Sequence, residues 1–161
     1  MLHASIIIAS DKGYTGERDD LCAPLIFDAL VKYGFNVLET KIVPDDRKAL
    51  SQEIGRSIDL GSNLIFTSGG TGMSKRDVTP EATLDVIQRE VPGIPEAMRA
   101  YSMQFTGRAM LSRAVAGICD NCLVVNLPGS PKAVSEVIDF IMPNIVHGIE
   151  ILLGLTGECA R

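Results

Sequence analysis

The sequence has no run of lysine and arginine longer than a pair, and its 15 basic residues are outnumbered by 20 acidic ones, for a formal net charge of -5. A nucleic-acid binder needs a basic face, so a polyanionic partner is excluded, although one phosphate group can still be held locally by backbone N–H donors and a few cations. Long apolar stretches are lacking too. None approaches the ~20 residues that cross a bilayer, so no membrane span is expected. No secretory leader is expected either, because Met1-Leu2-His3 runs straight into a strand-like segment without a basic region or cleavage site. The expected location is cytoplasmic, where Cys22, Cys119, Cys122 and Cys159 stay reduced. Cys119 and Cys122 have CxxC spacing, but no second ligand pair accompanies them. They are expected to be small core residues of two strands joined by Asp120-Asn121. His3 and His147 have no evident triad partner and read as structural, and Met98, Met103 and Met110 read as packing residues.

With 46% hydrophobic and 22% charged residues over 161 positions, the composition is that of one globular domain spanning 1–161. Isoleucine-rich residues 2–9 suit a buried strand, and polar residues 10–20 a loop leaving it. An apolar stripe over 21–33 predicts a helix that Gly34 stops. Residues 35–43 form a second strand, and Pro44-Asp45-Asp46 opens a helix over 48–60. A short third strand, 64–67, leads into Ser68-Gly69-Gly70-Thr71-Gly72. Thr79 as N-cap and Pro80 at the first helical position predict a helix running to Glu90. Another helix is expected over 95–105, then a hairpin over 113–127 whose second arm, 122–127, is a core strand. A turn at 128–131 precedes a long apolar helix over 132–153, interrupted or kinked near Pro143. This alternation predicts an open α/β sheet sandwiched between helices. Ligands in such sheets sit at the carboxyl ends of the strands, so the loops after Ala9, Val43, Thr67 and Leu127 should converge on one rim.

The loop Thr67 to Thr79, TSGGTGMSKRDVT, carries the strongest chemical signal. Its glycines allow close backbone approach, its N–H groups suit phosphate oxygens, and Ser68, Thr71, Ser74, Lys75 and Arg76 add hydroxyls and charge. The GxxxxGK[ST] order of a Walker loop is absent. A tight turn without a ligand is the bland alternative. Asp77 lies within reach of this loop and Asp45 follows another strand end. Taken singly each is explained by helix capping; together they suit a divalent cation shared with substrate phosphates. Pro128-Gly129-Ser130-Pro131-Lys132 sets a glycine, a hydroxyl and a cation before a helix N-terminus, which favours anions, though a plain turn explains it equally well. Ser10 and Asp11 carry a weaker signal and suit a turn.

These motifs carry a resemblance. Gly69-Gly70-Thr71-Gly72 followed by Arg76-Asp77-Val78-Thr79-Pro80-Glu81-Ala82 resembles the signature of the MoaB/Mog family of molybdenum-cofactor biosynthesis. Asn126-Leu127-Pro128-Gly129-Ser130-Pro131-Lys132, Val43-Pro44-Asp45 and the opening strand with Ser10-Asp11 match as well, so the likeness covers nearly the whole chain. The family implies a three-layer α/β/α sandwich with a mostly parallel sheet, usually trimeric. It implies a magnesium-dependent reaction of ATP with molybdopterin, giving adenylylated molybdopterin and pyrophosphate, and contact with a molybdenum insertase. Carried over by motif, Asp45 and Asp77 are the functional carboxylates, with the Val-Pro-Asp register favouring Asp45 over Asp46. The GGTG loop, Ser10 and the LPGSPK turn line the pterin and nucleotide pockets. Paralogues without activity change the Arg-Asp-Val-Thr-Pro stretch, which is intact here. A non-catalytic molybdopterin-binding or scaffold paralogue stands as the alternative, and a transferase acting on another small phosphate as a second one.

Overall fold

In the computed structural model, which describes residues 1–156, the isoleucine-rich opening is strand β1 (Leu2–Ala9). It is followed by helix α1 (Asp11–Tyr14), helix α2 (Cys22–Lys32), strand β2 (Phe35–Val43), helix α3 (Arg47–Asp59) and strand β3 (Leu64–Ser68). Helix α4 (Thr79–Leu84), strand β4 (Arg89–Glu90), helix α5 (Gly93–Ser102) and a 3-10 turn (Gly107–Leu111) come next. Strands β5 (Ala116–Cys119) and β6 (Cys122–Leu127) and helix α6 (Pro131–Leu152) complete the described chain. Cys159 lies outside the described residues.

The strands form one sheet in the order β2-β1-β3-β6-β5-β4. The first four are parallel, and the β5–β6 hairpin adds an antiparallel edge. Residues alternate between two cores. Ala4, Ile6 and Ile8, with Leu64, Phe66, Leu123 and Val125, pack with α2 and α6; Ile7, Ala9, Ile65 and Val124 pack with Leu50 and Ile54 of α3 and Ala82 of α4. Burial on both faces is why these strands read as continuous apolar runs. Each fully buried isoleucine contributes about 1.5–3 kcal/mol relative to leaving it exposed. The fold is the expected three-layer α/β/α sandwich.

Several elements differ from the sequence reading. The polar segment after β1 begins with a helical turn, because the Ser10 hydroxyl accepts the Gly13 N–H at 3.0 Å. Thr79 is not the N-cap of α4; Val78 is, and Thr79 Oγ1 donates instead to Gly69 O at 2.8 Å. That helix ends at Leu84 rather than Glu90. Gln88 N–H donates to Ile118 O and Val91 N–H to Ala116 O, both at 2.8 Å, so pairing with the hairpin overrides the helical pattern. The first hairpin arm starts at Ala116, and α6 continues through Pro143 as one helix. Cys122 is buried in the core and its thiol is pushed up to about 12 by burial, whereas Cys119 is only half-buried at the turn. Met98 is packed, but Met103 and Met110 are exposed.

Candidate active site

The chain leaves β1 toward β2 on one side and then crosses to β3 on the other, so a crevice opens at the carboxyl ends of β1 and β3. Register places the strand ends at one level, with Ala9 beside Val43, and Ser68 beside both Ile8 and Leu127. The loops pack closely there. A Cβ on Gly69, whose φ is +95°, would lie 2.3 Å from Ala9 O, and one on Gly129 would lie 3.1 Å from Gly69 Cα. Glycine is therefore demanded at 69 by both backbone conformation and contact. Ser68 Oγ donates to Pro128 O at 2.7 Å and holds the β6 turn against the β3 loop.

The first acidic residue is set by a division of labour at the end of β2. Asp46, not Asp45, caps α3, its Oδ1 accepting the Ala49 N–H at 2.8 Å. Asp45 is left to face the crevice. Its Oδ2 accepts the Asp11 N–H and its own N–H donates to Asp11 Oδ1, both at 3.0 Å, bracing the loops after β1 and β2 against each other. Asp77 does not cap α4. Its Oδ2 accepts the Ser74 N–H at 3.0 Å and closes the turn before it. Among the described residues nothing hydrogen-bonds to Oδ1 of either Asp45 or Asp77.

Arg76 forks onto Asp11, with Nη2 at 2.8 and 2.9 Å and Nε at 3.1 Å from its carboxylate oxygens. The Arg76 hydrogen bond chiefly, and the Asp45 N–H after it, hold the Asp11 carboxyl below the ordinary value. Asp45 shifts the other way. Burial pushes its carboxyl up and the charges of Asp11 and Asp77 add to this, against the Asp11 N–H and Arg76. A half-buried acid raised by desolvation, with like charges adding to it, is a common mark of a functional site.

Two cavities share the wall formed by Gly70, Asp77 and Gly129. One, of about 630 Å³, is lined by Ser10, Asp11, Asp45, Arg76 and Pro131 and by the glycine loop through Ser68, Gly69 and Ser74. The other, of about 380 Å³, is lined by Thr71, Gly72, Pro128 and Ser130 together with Arg99, Ser102, Arg108, Ser112 and Glu136. Of the residues singled out from sequence, Lys75 and Lys132 line neither cavity. Arg99, Ser102, Arg108 and Ser112 carried no sequence signal, lying in a helix, a 3-10 turn and the segment that follows it. Arg113 was missed as well: it donates to Gly72 O and Asp77 O, both at 2.7 Å, and pairs with Glu81.

Among the described residues no three His, Cys, Asp or Glu side chains are grouped as a metal cage. The two unpartnered Oδ1 atoms fit magnesium, which is usually held by one or two carboxylates and completed by substrate phosphates and water. Among the described residues no helix is long and apolar enough to cross a membrane.

The family model described as "Probable molybdopterin binding domain" matches residues 5–147. The molybdopterin adenylyltransferase of Helicobacter pylori J99 is 37% identical over 156 residues, covering 95% of this chain and 89% of that protein. The enzyme of the same name from Haemophilus influenzae is 47% identical over 144 residues, covering 86% of this chain and 72% of its own. The crystal structure of the molybdopterin biosynthesis enzyme MoaB from Thermus thermophilus superposes with a TM-score of 0.90 at 39% identity, covering 96% of this chain and 98% of that one.

Proposed function

The chain belongs to the molybdopterin-binding domain family, and from that premise we propose that it is a molybdopterin adenylyltransferase, which moves AMP from ATP to the terminal phosphate of molybdopterin. The observation that carries this reading is the pair of cavities meeting at Gly70, Asp77 and Gly129. Two substrates that must react need adjoining pockets with the reacting atoms at the shared wall. The larger cavity, with its glycine-loop N–H groups and carboxylates, suits the triphosphate. The smaller, with Thr71, Ser102, Ser112, Arg99 and Arg108 over an apolar floor that includes Met98 and Ala114, suits a flat heterocycle bearing a phosphate.

In the reaction a phosphate oxygen of molybdopterin forms a bond to the α-phosphorus of ATP, and the bond from that phosphorus to the bridging oxygen breaks, releasing pyrophosphate. An anion attacks an anion, so alignment and charge compensation matter more than covalent help. Magnesium supplies that compensation on the triphosphate when bound, held by Asp45 and Asp77. Arg76, kept beside Asp45 by Asp11, is the cation nearest the polar cavity's carboxylates. The backbone N–H groups of the glycine loop would serve as donors to the phosphates, and Ser10 with Pro128 to Pro131 of the LPGSPK turn completes the lining.

The chain is further read as one domain spanning 1–161, acting in the cytoplasm as a homotrimer that hands its product to a molybdenum insertase. Supporting a trimer is an apolar hollow between α5 and α6, lined by Ile94, Phe140 and Ile145, which light scattering tests.

The deciding experiment incubates purified protein with molybdopterin, magnesium and ATP labelled at the α-phosphate. Label in a pterin product is expected. If none forms while a control enzyme consumes the same molybdopterin, the chain is a binding or scaffold paralogue.

A further inference from the structure

The loop that carries Asp77 has an exposed tip, Met73 to Arg76, and its ends are not tied to any strand or helix ladder. Backbone carbonyls in such a loop need partners from elsewhere. One side chain supplies them. Arg113 Nε donates to Gly72 O, before the tip, and Nη2 donates to Asp77 O, after it, each at 2.7 Å. The Arg113 N–H adds a bond to Thr71 O at 2.8 Å. Its remaining amino group, Nη1, pairs with Glu81 of α4. Burial works against the Glu81 charge, but the Arg113 hydrogen bond and the nearby positive charges hold its carboxyl below the ordinary value. Arg113 lines neither cavity. It touches no substrate space and acts only through the loop.

We propose that Arg113 is a positioning residue, which fixes both ends of the glycine-loop tip and so places the Asp77 carboxylate at the wall between the two cavities. Glu81 orients the guanidinium from the opposite side. The planar fork of arginine can meet acceptors in several set directions at once; a lysine ammonium is a point charge on a flexible stem. Arg113→Lys therefore keeps the charge and loses the geometry. A misplacement of ~1 Å at a reacting centre costs about 10²-fold in rate.

The activity readout rests on the adenylyl-transfer reading, so a second readout independent of activity accompanies it. Arg113→Ala is expected to lower kcat by about 10²-fold and Arg113→Lys by about 10-fold, with KM for ATP and molybdopterin within about threefold of wild type. Millimolar guanidinium should restore part of the kcat of Arg113→Ala. Amide hydrogen exchange should quicken in both variants at residues 72–77. Wild-type kcat in Arg113→Lys overturns the proposal, as does a loss expressed in KM instead of kcat, or unchanged exchange at 72–77. Where Arg113→Ala fails to fold, Arg113→Lys decides by the same readouts. Wild-type protein without turnover overturns the adenylyl-transfer reading instead, and the exchange rates still test whether Arg113 holds the loop.

Discussion

The two cavities that meet at Gly70, Asp77 and Gly129 are built by different means. The larger is made mostly of the segments that leave β1, β2, β3 and β6, so its functional residues lie at strand ends or in the loops that follow them. The smaller is closed by α5, the 3-10 turn and the start of α6, with Arg99, Ser102, Arg108 and Ser112 scattered over elements of other kinds. The strand-end cavity inherits its geometry from the sheet, whose register is fixed by buried isoleucines and valines. The helical one depends on how α5 and the turn after it settle on the sheet. A substitution at the shared wall should therefore damage the chemistry of both pockets, and one in either lining should damage one substrate alone.

The largest effect is expected at the wall. Asp77→Ala should lower the formation of labelled pterin product by about 10²–10³-fold, the usual cost of removing a group that compensates developing charge. Asp45→Ala should match it within about tenfold while leaving molybdopterin binding in place, since Asp45 lines only the larger cavity. Full turnover with ordinary magnesium dependence in either variant would remove the carboxylate pair from the mechanism.

Gly69→Ala comes next. The added Cβ would sit 2.3 Å from Ala9 O at a φ of +95°, and the obstacle is backbone. Strain and overpacking together predict a loss of about 2–4 kcal/mol, read from the urea midpoint, with ATP, whose cavity Gly69 lines, bound more weakly. An unchanged midpoint would mean that the rim repacks freely and that the two cavities are less rigidly joined.

A smaller and one-sided effect is expected from Ser102→Ala or Arg108→Ala. Loss of a polar contact to a charged ligand should raise KM for molybdopterin by about tenfold and leave kcat within about twofold. Were KM for ATP to rise instead, the assignment of the two cavities would be reversed.

The same contrast explains what the sequence disclosed. The strands, the rim and the motif loops were legible because apolar runs, glycines and strand-end polar residues are local signals. Asp45 could be set apart from its neighbour by the Val-Pro-Asp register, and the structure supplies the physical reason: Asp46 is spent on capping α3. Arg99, Ser102, Arg108 and Ser112 had no local pattern to mark them, because only the packing of α5 and the 3-10 turn brings them to the smaller cavity. Arg113 lay inside a segment read as the first arm of a hairpin. Its role depends on three carbonyls some 36 to 42 positions earlier in the chain, a contact no local pattern encodes. The overlong reading of α4 has a similar origin, since residues 85–90 continue a helical pattern and only the edge of β5 draws Arg89 and Glu90 into the sheet.

The smallest expected effect concerns stability. Burial, with the charges of Asp11 and Asp77 after it, raises the Asp45 carboxyl above its ordinary value, so the folded chain holds that proton more tightly than the unfolded one. This stabilisation is complete below the unfolded value and is lost as pH rises through the folded one. At neutral pH ionised Asp45 is thus a cost to the fold, retained for chemistry. Asp45→Asn keeps an acceptor for the Asp11 N–H and removes the charge. Its Tm at pH 7.5 should exceed that of the wild type by roughly 2 °C, and the gap should narrow as the pH falls toward about 4. Added magnesium with ATP should raise the wild-type Tm more than that of the variant, because the cation relieves a repulsion the variant no longer has. A gap that stays constant with pH would show that Asp45 is not under electrostatic strain in the folded chain.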